Sequence, residues 1–99
     1  MIEDLHRDTF SEQLNTKFRI HLADAESLEL ELVEATDCGS NARQERFSIL
    51  FRGPADTYIA QGMYRIEHDK MGSFDLMIVP VRADKEGISY EAIFNRLLR

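Results

Sequence analysis

Residues 47–81 read FSILFRGP, ADTYIA and QGMYRIEHDKMGSFDLMIVPV, the densest two-residue alternation of apolar and polar side chains in the chain. Successive side chains of a strand point to opposite faces, so this period predicts strands with one buried face. Phe47, Ile49 and Phe51 fall on one side, with Ser48, Leu50 and Arg52 on the other. Gly53-Pro54 ends that run, because proline lacks the N–H a ladder needs and restricts the residue before it. Gln61-Gly62 opens the next strand, in which Tyr64, Ile66 and His68 share a face opposite Met63, Arg65 and Glu67. The turn Asp69-Lys70-Met71-Gly72 places glycine where a left-handed backbone is needed. The returning strand sets Phe74, Leu76 and Ile78 against Met77, Val79 and Val81, and Pro80 points to a bulge or an edge near its end. It is apolar on both faces, so something is expected to cover the outer one.

The flanks repeat the pattern. Phe18, Ile20 and Leu22 alternate with Lys17, Arg19 and His21; Leu28, Leu30 and Leu32 alternate with Glu29 and Glu31. A polar turn at 24–27 joins these two strands, and their cationic and acidic outer rows are expected to pair across the ladder. A polar connection over 36–45 predicts a mobile surface loop. Asp84-Lys85-Glu86-Gly87 is a second glycine turn, followed by a strand with Ile88, Tyr90, Ala92 and Phe94 inward and a short amphipathic tail over 96–99. At the start, Thr9 and Glu12 have the spacing of a capping box, predicting a helix over about 10–14 with Phe10 and Leu14 on one face and Asn15 as its stop. An irregular arm pinned by Phe10 is the other reading. Tyr58 and Ile59 are expected to cover a barrel end.

Six short strands joined mainly by hairpins predict an all-β fold: a small antiparallel six-stranded barrel, a meander closed or partly open, with a short N-terminal helix or arm. A barrel is preferred to a sandwich because closure removes exposed edges. A chain of 99 residues makes a single domain, 1–99.

Composition narrows the partners. Eighteen acidic residues outnumber twelve scattered basic ones, for a net charge of −6. That balance disfavours nucleic acid and anionic membranes, both of which select clustered Lys and Arg. The longest apolar run, 76–81, is far too short to span a bilayer, and the charged start lacks a signal peptide's basic and apolar blocks. Cys38 is the single cysteine, which fits a reducing compartment; the expectation is a cytoplasmic protein.

The segments 47–54, 61–81 and 87–95 (FSILFRGP, QGMYRIEHDKMGSFDLMIVPV and GISYEAIFN) resemble a small bacterial domain family of unknown function. Its pattern is phenylalanine-serine before an arginine-glycine-proline turn, a glutamine-glycine-x-tyrosine strand ending in glutamate-histidine, a valine-proline step and a closing tyrosine-glutamate-alanine-x-phenylalanine-asparagine. The resemblance implies a stand-alone β-rich domain and carries over no catalytic residue.

The candidate sites are few. His68 is a possible general base, but Glu67 beside it points to the other face, and a structural histidine bonded to backbone is the competing reading. His6, His21, His68 and Cys38 lack the spacing of metal ligands, so neither metal nor cofactor is expected. Cys38 lies in a loop that is acidic on the whole, which disfavours a thiolate nucleophile. Arg52-Gly53-Pro54 could hold an anion, or Arg52 could pair with a nearby carboxylate. Arg52, Tyr64 and His68 are thus the possible polar site. Leu50, Met63, Met77, Val79, Val81 and Ile93 all fall outward and form a possible interaction surface, unless the N-terminal arm and the tail with Leu97 and Leu98 cover them. These features predict a non-enzymatic interaction or assembly module, accessory to a larger protein assembly or forming a homo-oligomer. The alternative is a small-ligand barrel with Tyr58, Tyr64, His68 and Tyr90 at its mouth. An enzyme would need His68 in a cleft with a carboxylate or Arg52 in reach.

Overall fold

The computed structural model describes residues 6–23 and 26–97. Its elements are α1 (Arg7–Ser11), β1 (Lys17–His21), β2 (Ser27–Asp37), β3 (Gln44–Gly53), β4 (Gly62–His68), β5 (Gly72–Asp84) and β6 (Gly87–Leu97). All six strands are antiparallel to their neighbours and close into one ring in the order β1-β2-β3-β6-β5-β4. The alternation expected from sequence is realised along every strand. Phe18, Ile20, Leu30, Leu32, Phe47, Ile49, Phe51, Ile66, Phe74, Leu76, Ile78, Tyr90 and Ala92 fill the interior, and their burial out of water is the main force holding the ring closed.

The order is not that of a plain meander, which would pair β3 with β4 and β6 with β1. β3 pairs instead with β6 along its whole length, Gln44–Leu97 through Gly53–Ile88, while β4 pairs with β1 at Arg19–Glu67 through His21–Arg65. The segment 54–61 therefore crosses one end of the ring. It is held there by the buried Tyr90 hydroxyl, which accepts from the Ile59 N–H (3.0 Å) and donates to the Thr57 carbonyl (3.3 Å). Ile59 covers that end as expected; Tyr58 does not, its side chain standing in solvent.

The other end is closed by α1. Phe10 is fully buried among Phe94 (5.4 Å between ring centroids), Phe74 (5.9 Å), Phe47 (6.1 Å) and Phe18 (6.3 Å). The helix begins and ends three residues earlier than its sequence suggested. Thr9 lies inside it, His6 is the N-cap residue and no side chain caps it, so the Thr9–Glu12 capping box does not form. Burial of Phe10, not capping, fixes where the chain turns helical. Leu14 is accordingly exposed, and Asn15 adopts a left-handed φ of 68° as the chain turns into β1.

Other boundaries shift in the same way. β2 and β3 run on into the segment expected as a long loop, leaving only 38–43 between them. There the Asp37 carboxylate accepts from the Gly39 and Ser40 N–H groups, and Asn41 accepts from those of Arg43 and Gln44. Arg96 and Leu97 belong to β6 instead of a separate tail; 98–99 lie outside the described residues, as does part of the 24–27 turn. Pro80 does mark a bulge, since the β5–β6 register shifts between Pro80 and Arg82.

Candidate interaction surface

His68 sits at the end of β4, only 5% exposed, its ring 4.2 Å from that of Phe18. The Lys70 and Met71 N–H groups donate to its Nδ1 (3.1 and 3.3 Å), which places the ring proton on Nε2. That nitrogen donates to Thr16 Oγ1 (2.9 Å), whose hydroxyl donates in turn to the Gln13 carbonyl (2.7 Å). Burial holds the imidazole pKa below its usual value, with the Arg19 and Lys70 charges adding to the effect and Asp69 opposing it. Both nitrogens are engaged and neither meets a carboxylate. The ring ties the β4–β5 turn to the start of β1, which is the work of a structural histidine.

Arg52, Tyr64 and His68 are not brought together. Tyr64 lies at the other end of β4 and donates to the Ala60 carbonyl (2.6 Å), while Arg52 faces outward from β3, across the ring from β4. The aromatic mouth is not assembled either: Tyr64 and Tyr90 stand at the end crossed by 54–61, His68 at the end closed by α1.

On the outer face, the expected β1–β2 charge ladder forms only at Lys17–Glu31 (3.9 Å). Arg19 and His21 reach the other way, because β1 also neighbours β4: Arg19 pairs with Asp69 (3.1 Å) and Glu67 (3.5 Å), His21 with Glu67 (3.0 Å). The hydrogen bond from His21, with the Arg19 charge, holds Glu67 below the usual carboxylate range against a smaller opposing effect of burial. A second cluster joins α1 to β3 and β6. Burial would raise the Glu45 pKa, but His6 (2.9 Å), the Arg7 N–H and Arg96 (3.1 Å) outweigh it and hold the carboxylate charged. Nothing in the sequence signalled this triad, whose members are 39 and 51 residues apart. Among the described residues no three His, Cys, Asp or Glu side chains converge as metal ligands, and no helix is long and apolar enough to cross a membrane. Cys38 is free and exposed.

All six residues expected to face outward as an apolar surface do so, on the neighbouring strands β3, β6, β5 and β4. Met63 is 62% exposed, Met77 47% and Ile93 70%, and Val81 is exposed too; Leu50 and Val79 are half-buried on either side of Glu91. Met63 and Met77 are cross-strand partners. The β5–β6 ladder ends at Val79–Glu91, so β6 from Ala92 onward is paired with β3 alone and β5 up to Ile78 with β4 alone. The ring thus has a seam, and Met77 and Ile93 stand on its two lips. Phe10 of α1 reaches Phe74 of β5 and Phe94 of β6 from inside the ring, while Met63, Met77 and Ile93 stay exposed on its outside, as does Leu97.

Fold and surface together describe a small six-stranded β ring with a filled interior and an apolar patch on its otherwise charged outer face. The chain belongs to the family described as a domain of unknown function, DUF6916, whose model matches residues 5–94. No curated protein and no solved structure matches it.

Proposed function

We propose that this domain is a non-enzymatic interaction module, which joins a larger protein assembly or a second copy of itself through the outer face around the β5–β6 seam. The observation that carries the reading is the group Met63, Met77 and Ile93, exposed on either side of strand segments that lack a neighbour on one edge. Apolar side chains clustered on a surface mark binding faces, and an unpaired edge accepts a further strand through its backbone. The packed interior weighs against a ligand held inside the ring, and the hydrogen bonding of His68 weighs against acid–base chemistry. A cytoplasmic location remains part of the proposal, resting on composition and the single cysteine.

The test is affinity purification of tagged protein from its native host, run in parallel with a Met77→Asp/Ile93→Asp variant. The reading expects a stoichiometric protein partner, or a second copy, with the first and neither with the second, while the circular dichroism of the variant is unchanged. Equal recovery with both would overturn it.

A further inference from the structure

The way the β5–β6 ladder ends selects what can fit the seam. Val79 and Glu91 are paired, but Met77 and Ile93, the next outward positions in the same register, are not. β5 is left with a free edge over 72–78 and β6 with one over 92–97. Inside the ring, Phe10 touches both Phe74 of β5 and Phe94 of β6, at 5.9 and 5.4 Å between ring centroids. Those two rings are therefore at most two ring contacts apart. Neighbouring strands lie about 4.7–4.9 Å from each other, so a gap of that size admits one extended chain and not two. A folded second copy would bring its β5 with β4 attached, or its β6 with β3, and the net charge of −6 repels it further.

The side chains around the gap set the chemistry of its occupant. Phe10, Phe74 and Phe94 already fill the space beneath it, so residues pointing inward must be small. Residues pointing outward lie between the exposed Met77 and Ile93, where apolar side chains gain from burial. At the paired end Glu91 stands half-buried between Leu50 and Val79, its cross-strand neighbours. Its carboxylate makes neither hydrogen bond nor ion pair among the described residues. Asp75, the other carboxylate on the two lips, is already held by Arg65 at 2.7 Å. A cation on the occupant would meet Glu91 in partly apolar surroundings, where attraction is stronger than in open water.

We infer that the seam binds a single extended segment of another protein, added as a seventh strand between β5 and β6. The segment carries small residues inward, large apolar residues outward and a lysine or arginine beside Glu91. This rests on the interaction reading above and names the form of the partner. Backbone groups of the two free edges supply its hydrogen bonds, and the alternation of its side chains supplies specificity. Because β5 and β6 run in opposite directions, the segment is antiparallel to one and parallel to the other.

The experiment is selection from a library of random heptapeptides, the length of the free β5 edge, against the whole chain. Nitrogen–proton NMR titration with the best synthetic peptide follows. Enriched sequences should alternate small and large apolar residues with a lysine or arginine near one end, and shift the amides of 74–78 and 92–97 saturably. Binding should be lost in Ile93→Asp and with a peptide carrying proline at its centre, which lacks the N–H a ladder needs. It should weaken about fivefold in Glu91→Gln, as loss of one ion pair implies. Met77→Asp serves if Ile93→Asp does not fold. Absence of enrichment, equal binding of the proline peptide, shifts away from the seam, or a dimer of the free chain that the peptide does not displace would overturn the inference. Recovery of tagged protein separates it from the broader reading. A partner lost with Met77→Asp/Ile93→Asp but not competed by the peptide refutes the added strand alone, whereas a partner kept by that variant refutes the interface itself.

Discussion

His68 uses both ring nitrogens on the fold, and its burial makes the neutral form the one the folded state holds. The folded pKa lies below the ordinary 6.5, so the unfolded chain binds the proton more readily. Stability from this group is therefore complete above about pH 6.5 and is lost as the pH falls from there towards the lowered folded value. Thermal melts across pH 7.5 to 5 should show a falling midpoint that His68→Gln flattens; a parallel decline in the variant would contradict the account. Glu45 behaves likewise in a lower window: its folded pKa is depressed, so its contribution is lost as the pH falls below about 4.5. Tyr90 is the matching residue at the other end. Tyr90→Phe leaves the Ile59 N–H without its acceptor in a buried place and should cost about 1–3 kcal/mol in urea unfolding, with the crossing segment the first to exchange its amides.

At the scale of elements, α1 is too short to be stable alone, and Phe10 is its one buried side chain. Phe10→Ala should cost about 3–5 kcal/mol, read from urea unfolding, because the ring it removes touches four other phenylalanines. The β5–β6 turn depends on Gly87, whose φ is +144° and where a Cβ would fall 2.3 Å from the Gly53 carbonyl oxygen. Gly87→Ala should destabilise by more than the ~1 kcal/mol of an ordinary glycine substitution and loosen the β3–β6 pairing beside it. These elements also show what a sequence can tell. The two-residue period is local, so all six strands and their inward faces were legible, as was the positive φ at Gly72 and Gly87. Strand order is not local: the pairing of β3 with β6 depends on how 54–61 crosses, and no residue in it spells out a direction. The capping box misled for the same reason, since a tertiary contact of Phe10 outweighs a local hydrogen-bond pattern. The outward apolar residues were legible from the same period, but that Met77 and Ile93 flank a seam depends on where the non-local β5–β6 ladder ends.

For the whole molecule, the proposed function lies on the outer surface of the ring. The interior is filled by aromatic and branched side chains, and the clefts lie outside it. The apolar lips of the β5–β6 seam distinguish that surface. Met77→Asp and Ile93→Asp should leave the melting midpoint within about 1 kcal/mol of stability, as surface changes do, while removing association. The most direct measurement of the central claim is amide hydrogen exchange of the domain free and in its recovered complex or oligomer. New protection should concentrate in 62–64, 74–79 and 92–97, the segments around the seam. Protection confined to the crossing segment 54–61 around Tyr58, or to the β1–β4 charge cluster, would contradict the account.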